Sequence, residues 1–249
     1  MQIGFIGAGN MASALARGLG EPVLCTDGGS GRAKALAAEL GGEALASNAE
    51  LAQRSDLVIL AHEPDDLHEV AEQVDGNAKA VLSLMGRITV AQLADAYSGV
   101  PVFRAMPNTP VEIGRGVICM AQTPDVESGL GVSIRELLER TGLVVVLPER
   151  LMGIATATTG VWPAYLALII EAQVDASVRA GMAPRQAAEL LAATIEGSAA
   201  LVAHHGYDTL AVRRQVTSPG GGTARGLRAL EDSGLRAAFA DATDAVLNR

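Results

Sequence analysis

Apolar and polar positions alternate in blocks along the first part of the chain, residues 1–150. Short apolar runs of strand length are separated by longer segments rich in Ala and Leu at helical spacing. Regular alternation of strand and helix favours a parallel sheet with helices on both faces, which is the α/β class. Strands are predicted at 2–6, 22–26, 57–61, 80–84, 102–105, 116–120 and 143–147, and helices at 11–19 and 32–40.

Around Pro148 the pattern changes, and no convincing strand follows residue 152. Pro184 suits the first turn of a helix, where its missing N–H costs nothing. We therefore expect two domains, a sheet domain over 1–150 and an all-helical domain over 151–249. Helical segments of Ala, Leu, Glu and Arg are predicted at 159–180, 184–204, 223–232 and 235–247.

Composition and charge narrow the classes of partner. The 249 residues are 49% hydrophobic, only 3% aromatic and carry a net charge of −9 without a Lys/Arg cluster. Phosphate backbones and anionic membranes need a basic face, so neither nucleic acid nor membrane is an expected partner. The apolar stretch 161–172 contains Pro163 and is too short to cross a bilayer. The N-terminus lacks the basic region of a signal peptide, and we expect a cytoplasmic protein.

The metal-ligating residue types show no ligand spacing. Cys25 and Cys119 lie far apart in the chain and are expected to be small buried hydrophobes. The four histidines are expected at the solvated surface. No metal is predicted.

The segment from Ile3 to Ala12 contains the pattern G-x-G-x-x-A between a predicted strand and a predicted helix. Gly7 permits the tight turn, Gly9 lets the backbone approach a pyrophosphate, and Ala12 allows close helix–strand contact. The helix start at Asn10 and Met11 then supplies amides and a positive dipole end for the phosphates. The pattern predicts a dinucleotide site.

Asp27 lies at the predicted end of the second strand, twenty residues after Gly7. An acid there accepts hydrogen bonds from the ribose 2′-OH and disfavours a 2′-phosphate. Ser30 and Arg32 in the same loop are donors that could hold a 2′-phosphate, and Asp27 could also be a plain turn residue. This stretch leaves NAD and NADP open.

A proline-glycine loop at 216–224 joins two predicted helices. Ser218 precedes Pro219 and three consecutive glycines, Gly220, Gly221 and Gly222, and Thr223 is a candidate for the cap or first residue of the next helix. Exposed amides at a helix start suit a carboxylate. The loop is therefore a candidate substrate site.

The segment Arg104-Ala105-Met106-Pro107-Asn108-Thr109-Pro110 follows a predicted strand. Ligands of open α/β sheets bind beyond the carboxyl ends of strands, where Asn108 offers both a donor and an acceptor. A rigid structural loop explains the same residues equally well.

Together these motifs make the chain resemble the pyrroline-5-carboxylate reductase family of proline biosynthesis. The resemblance rests on four segments that follow each other in the family's order along nearly the whole chain. They are 5–11 at the glycine turn, 104–110, Pro163-Ala164-Tyr165, and Val216-Thr217-Ser218-Pro219-Gly220-Gly221. The last segment is specific to that family, whereas the glycine turn alone is not.

The resemblance implies a Rossmann domain, a helical domain that interleaves with a partner subunit, and a homodimer or higher homo-oligomer. It implies NADP or NAD as cofactor and a cyclic imino acid as substrate, with its carboxylate held by the loop around Ser218 and the ring nitrogen near the Thr223 hydroxyl. The family's further cofactor and substrate positions fall on Asn48, Ala61, Pro64, Met106, Pro107, Gly220, Gly221, Gly222, Trp162 and Asn108.

Three positions depart from the family pattern. Glu63 replaces a lysine near the cofactor, which removes a favourable charge for phosphate. Trp162 stands where the family has a small residue, so it is either an anchor at a dimer interface or a bulky group that reshapes the pocket. Met85 replaces an alanine.

Three hypotheses follow from the sequence. The first is NAD(P)H-dependent reduction of 1-pyrroline-5-carboxylate to proline. The second keeps the enzyme class but assigns a different imine or imino acid of secondary metabolism. The third is a dinucleotide-binding dimer without turnover, which the intact 218–223 loop disfavours.

Overall fold

In the computed structural model, which describes residues 1–74 and 76–247, eight strands form one sheet in the order β3-β2-β1-β4-β5-β6-β7-β8. Strands β1 to β6 pair in parallel, β7 runs antiparallel to β6, and β8 is parallel to β7. The strands are β1 Ile3–Ile6, β2 Leu24–Thr26, β3 Glu43–Ala44, β4 Leu57–Leu60, β5 Val81–Ser83, β6 Val102–Pro107, β7 Gly116–Ala121 and β8 Gly142–Leu147.

Helices fill the connections of the sheet and the whole of the chain after it. The α-helices are α1 Asn10–Leu19, α2 Arg32–Leu40, α3 Asn48–Arg54, α4 Leu67–Val74, α5 Val90–Ala96, α6 Gly129–Glu139, α7 Met152–Ala155, α8 Trp162–Arg179, α9 Pro184–His204, α10 Thr209–Gln215, α11 Gly222–Asp232 and α12 Leu235–Leu247. Short 3-10 helices lie at Pro64–Asp66, Thr109–Ile113, Pro124–Glu127 and Glu149–Leu151, and a π-helical turn lies at Thr156–Gly160.

The α/β class and the mostly parallel sheet are confirmed, and each predicted strand is present within two residues of its expected ends. Strand β3 was not predicted, because two residues carry no readable apolar pattern. Helices α3 to α7 and α10 had no predicted bounds either; all of them except α6 have eight residues or fewer, which give only about two helical turns. The antiparallel pairing of β6 with β7 depends on a short connection, which apolar periodicity does not reveal.

Two buried layers cover the two faces of the sheet. Successive residues of a strand point to opposite faces, so Phe5 packs into the layer that includes α1 and Ile6 into the layer that includes α4. Both faces are apolar, which explains why the strands have continuous apolar sequences. Cys25 and Cys119 are free and buried as predicted, and burial raises the pKa of the Cys25 thiol to about 11.

The chain divides into two compact units, Met1–Pro163 and Ala164–Arg249. The predicted boundary at 150/151 follows the last strand, and the division falls after Pro163. In the described helical unit only Ala187 is a buried residue. Large apolar side chains are instead exposed: Leu168, Leu190, Leu210, Leu230 and Leu247. A single copy of this unit therefore leaves much of its apolar surface uncovered.

The apolar helical run is longer than the sequence suggested. Residues Glu149–Arg179 form a helical run of 31 residues that is long and apolar enough, by length and composition alone, to cross a membrane. The expectation that this stretch is too short was wrong, because helical turns on both sides extend it. Only 11% of its most apolar window is buried within the chain.

We expect Gly18→Ala to destabilise the sheet unit. A Cβ at Gly18 of α1 would collide with the carbonyl oxygen of Val111 in the neighbouring 3-10 helix, and backbone cannot move aside as a side chain can. Overpacking of this kind costs about 1–3 kcal/mol. Thermal unfolding measures the effect, and Gly129→Ala at the exposed start of α6, where a Cβ meets nothing within 4 Å, is the control. Equal stability of both variants would contradict the close packing.

Candidate functional site

The turn after β1 lies against the end of β4. Gly7 has a φ of +97°, and a Cβ there would lie 2.5 Å from the carbonyl oxygen of Ala61. The Gly7 N–H donates to the carbonyl of Thr26 at 3.0 Å, which ties the turn to β2 as well. Strand order reverses between β1 and β4, and open α/β sheets bind ligands at such a switch point.

Helix α1 starts at this turn with its first amides unclaimed by side chains. Its N-cap, Gly9, makes no side-chain hydrogen bond, and the first turn contains no acid. A Cβ on Gly9 would meet nothing within 4 Å, so the space above the turn is open. Asn10 and Met11 form the first turn. The arrangement fits a pyrophosphate, whose oxygens would accept from these amides.

A cleft of about 670 Å³ extends from the turn. A chain of side-chain hydrogen bonds runs along it. Thr26 Oγ1 donates to Asn48 Oδ1 at 2.5 Å, and Asn48 Nδ2 donates to Gln73 Oε1 at 2.6 Å. Gln73 in turn donates to Glu69 at 3.1 Å. These bonds fix Asn48, which the family resemblance assigns to the cofactor, at the start of α3.

Asp27 lines the same cleft and is also bound to its own loop. Its carboxylate accepts from the Gly29 amide at 3.0 Å, the Ser30 hydroxyl at 2.8 Å and the Ala33 amide at 2.9 Å. The Ala33 amide and then the Ser30 hydroxyl lower the pKa of this carboxyl. Asp27 is therefore both a turn residue that holds its own loop and a residue that lines the cleft.

His62 was expected at the solvated surface, and that expectation was wrong. It lies two residues after the end of β4 and lines the cleft half-buried, where burial lowers its pKa. Its Nδ1 lies 2.8 Å from the Glu63 carbonyl oxygen, while within the described part of the chain its buried Nε2 has no partner. Its position after the strand predicted at 57–61 could have indicated this location. Ala61 precedes it, and Pro64 opens the following 3-10 helix.

Asn108 is 8% exposed, and both ends of its amide are occupied within the chain. Oδ1 accepts from the Val117 amide at 2.7 Å, and Nδ2 donates to the Thr159 carbonyl at 3.2 Å. Asn108 therefore joins the end of β6, where Met106 and Pro107 lie, to β7 and the π-helical turn. Its contact with a substrate stays a prediction.

A half-buried ion pair that the sequence did not indicate anchors the same strand. Arg104 of β6 lies 3.4 Å from Glu149, which also accepts from the Val90 amide at 2.7 Å. Burial lowers the pKa of Arg104, and the carboxylate of Glu149 opposes this effect because it stabilises the positive charge. The pair fixes the middle of β6 against the segment that follows β8.

The proline-glycine loop lies in the helical unit and is exposed. Helix α11 begins at Gly222, so Thr223 is its second residue and not its cap. Gly221 is the N-cap and makes no side-chain hydrogen bond, which leaves the first-turn amides without a side-chain partner. The Gly221 amide itself donates to the Ser218 carbonyl at 3.1 Å and is therefore already used. The Arg225 guanidinium donates to the Gly220 carbonyl at 2.7 Å.

Trp162 begins α8 and is 40% exposed, so the single chain does not bury it. Both interpretations of this residue, interface anchor and pocket wall, remain compatible with its position. Within 1–74 and 76–247, no group of three or more His, Cys, Asp or Glu side chains is arranged to hold a metal ion.

The strand order, the glycine turn at the switch point and the open start of α1 define a dinucleotide-binding protein of the Rossmann class. A family model described as NADP oxidoreductase, coenzyme F420-dependent, matches residues 2–86. A second, described as pyrroline-5-carboxylate reductase dimerisation, matches residues 149–249.

Similarity to individual proteins extends over the whole chain. Pyrroline-5-carboxylate reductase of Synechocystis is 33% identical, and the match covers 100% of this chain and 97% of the relative. The solved enzyme of Streptococcus pyogenes superposes with a TM-score of 0.91 at 29% identity, over 100% of this chain and 97% of the other. The Plasmodium falciparum pyrroline carboxylate reductase, solved with NADP bound, superposes with a TM-score of 0.89 at 28% identity. The match covers 100% of this chain and 96% of the other. The chain belongs to the pyrroline-5-carboxylate reductase family and is an NAD(P)-dependent oxidoreductase.

We expect Asn108→Ala to lower the free energy of unfolding by about 2 kcal/mol, because the part-buried Val117 amide and Thr159 carbonyl each lose their hydrogen bond to its side chain. Urea unfolding without cofactor measures the change. Thr158→Ala is the control, since that hydroxyl is exposed and bonds only its own helix. A loss below about 0.5 kcal/mol for Asn108→Ala would mean that the amide is free to serve a ligand.

Proposed function

We propose that the chain reduces the cyclic imine 1-pyrroline-5-carboxylate to proline with NADPH or NADH. The observation that carries the proposal is the full-length match to this family at 33% identity. The segments that bear the resemblance include both the glycine turn and the 216–221 loop. A protein that bound only a dinucleotide has no use for the second segment.

The dinucleotide is held by two groups of residues. Gly7, Gly9, Asn10 and Met11 hold the pyrophosphate through backbone amides and close approach. When bound, the reduced nicotinamide supplies a hydride to the imine carbon, and a proton on nitrogen completes the amine. Further contacts to the cofactor come from Asp27, Asn48, Ala61, Pro64, Met106 and Pro107.

The loop before α11 receives the substrate. Its carboxylate is attracted to the amides at the start of α11, near Gly220 and Gly222, because the helix end is positive. The Ser218 and Thr223 hydroxyls can each donate to, or accept from, a polar atom of the ring. Thr223 orients the ring nitrogen. A protonated imine is already electrophilic, so orientation supplies much of the catalysis.

A second copy of the chain covers the exposed apolar side chains of the helical unit. Burying apolar surface yields about 25 cal/mol per Å², so side chains such as Leu168 and Leu190 favour association. This occupant also accounts for the apolar run 149–179 without a membrane. A homodimer or larger homo-oligomer in the cytoplasm is the assembly we propose.

A related cyclic imine is the second candidate substrate. Trp162 favours it, because a large exposed side chain replaces a small residue of the family next to Pro163. A reshaped pocket would prefer a ring of another size.

The direct test is an activity assay with 1-pyrroline-5-carboxylate as substrate. The loss of nicotinamide absorbance measures the reaction, once with NADPH and once with NADH. We expect turnover by the wild type and a fall in kcat of about 100-fold for Thr223→Ala, because the ring nitrogen loses its hydroxyl partner. Thr223→Ser should retain most of the rate. Thr194→Ala is the control, since that exposed hydroxyl donates to the Leu190 carbonyl of its own helix, α9, at 2.7 Å.

Three results would count against parts of this assignment. Full activity of Thr223→Ala would remove the residue from the mechanism. Faster turnover of the six-membered imine than of the five-membered one would favour the second candidate, and no turnover with any imine would leave a dinucleotide binder.

Gly9→Ala should separate cofactor binding from folding. The added Cβ has space in the protein alone, so thermal stability without ligand should match the wild type. The methyl group occupies the place of approach of the pyrophosphate, so the rise in melting temperature with added NADPH or NADH should disappear. Gly7→Ala is the comparison, since its positive φ and the 2.5 Å approach to Ala61 should lower stability even without ligand. An unchanged thermal shift for Gly9→Ala would place the phosphates elsewhere.

A further inference from the structure

The cleft beyond the glycine turn is acidic. Three of its lining residues are carboxylates, Asp27, Asp66 and Glu69. Neither lysine nor arginine is among the described residues that line it. A cofactor phosphate added at this end of the cleft would therefore meet like charges and no cation.

The carboxylate of Asp27 accepts hydrogen bonds from the donors of its own loop, so these donors are already in use. Its Oδ2 accepts from the Ser30 hydroxyl and the Ala33 amide, and its Oδ1 accepts from the Gly29 amide. An ionised carboxylate has about four acceptor positions, two on each oxygen. Oδ1 accepts one of the three hydrogen bonds and can accept a second from an outside hydroxyl.

Helices α1 and α2, which follow β1 and β2, differ in how their first amides are used. In α1 the N-cap Gly9 makes no side-chain hydrogen bond, so an outside anion can bind there. In α2 the Ala33 amide already donates to Asp27. A 2′-phosphate in this loop would have to displace a carboxylate that belongs to the chain.

Arg32 is the cation of this loop that could have favoured a phosphate. It lines a different cleft, together with Arg17 and Glu39. The acids of that cleft, Glu39 and Glu112, are paired with Arg17, and Arg32 is exposed. Arg32 is not among the described residues that line the cleft on which Asp27 lies.

We propose that Asp27 makes the chain selective for NADH over NADPH, with Oδ1 accepting from the ribose 2′-OH and the carboxylate repelling a 2′-phosphate. The proposal rests on the proposed function only for the identity of the cofactor class. The proposed cofactor, NADH, differs from the one bound in the Plasmodium falciparum structure, which was solved with NADP.

Direct titration of the protein without substrate tests the proposal, with NADH and NADPH followed by nicotinamide fluorescence. We expect the wild type to bind NADH at least about tenfold more tightly than NADPH. The reason is that repulsion between the Asp27 carboxylate and the 2′-phosphate of NADPH weakens binding by at least that factor. Asp27→Ser should weaken NADH and strengthen NADPH, so that the ratio falls by about tenfold or reverses. Asp27→Asn should shift the ratio in the same direction while retaining an oxygen for the loop.

Asp65→Asn is the matched control, because it removes the same charge close by at a residue that does not line the cleft. Its ratio should equal that of the wild type. Arg32→Ala tests the competing contact, and we expect no selective loss of NADPH binding. Thermal unfolding of each variant without ligand separates a folding defect from a binding change.

Three outcomes would overturn the proposal: tighter binding of NADPH by the wild type, equal shifts of both cofactors in the Asp27 variants, or a selective loss of NADPH binding in Arg32→Ala. Failure of the proposed function looks different. In that case NADH binds with the expected selectivity, and no cyclic imine is reduced.

Discussion

The backbone of Gly7 approaches the backbone of Ala61 so closely that no side chain fits between them, and the rest of the sheet unit depends on this contact. It brings the ends of β1 and β4 together at the point where the strand order reverses. The hydrogen bond from Gly7 to Thr26 adds the end of β2. Helix α1 then starts next to three strand ends with no side chain capping its first amides and open space at Gly9, which is the physical basis of dinucleotide binding.

Several polar side chains of the sheet unit hold the fold together through hydrogen bonds within the chain. Asn48 is fixed by Thr26 and Gln73, and Asn108 joins β6 to β7 and the π-helical turn. Asn48 lines the cleft and Asn108 follows a strand end, yet the hydrogen-bonding capacity of both side chains is largely used inside the chain. A polar residue at a strand end is therefore weak grounds for ligand contact until its partners are known.

The two units reach stability in different ways. The sheet unit buries two apolar layers of its own. In the described helical unit Ala187 alone is buried, while leucines along several helices remain exposed. The second unit consequently needs apolar surface from outside itself, and the family match to a dimerisation domain agrees with that need. The same composition explains why one of its helical runs resembles a membrane span.

The sequence by itself predicted seven of the eight strands, six of the helices and the two candidate ligand-binding motifs. Continuous apolar runs indicate strands buried on both faces, and the helices at 32–40 and 184–204 have the predicted ends because glycine and proline mark them. Two-residue β3 and the reversal at β7 were missed, since neither has a local pattern. Only the tertiary structure decided that His62 lines the cleft, that Arg104 pairs with Glu149, and that Asp27 takes the donors of its own loop. Those facts depend on which strand ends become neighbours, and periodicity along one chain carries no information about contacts between distant residues.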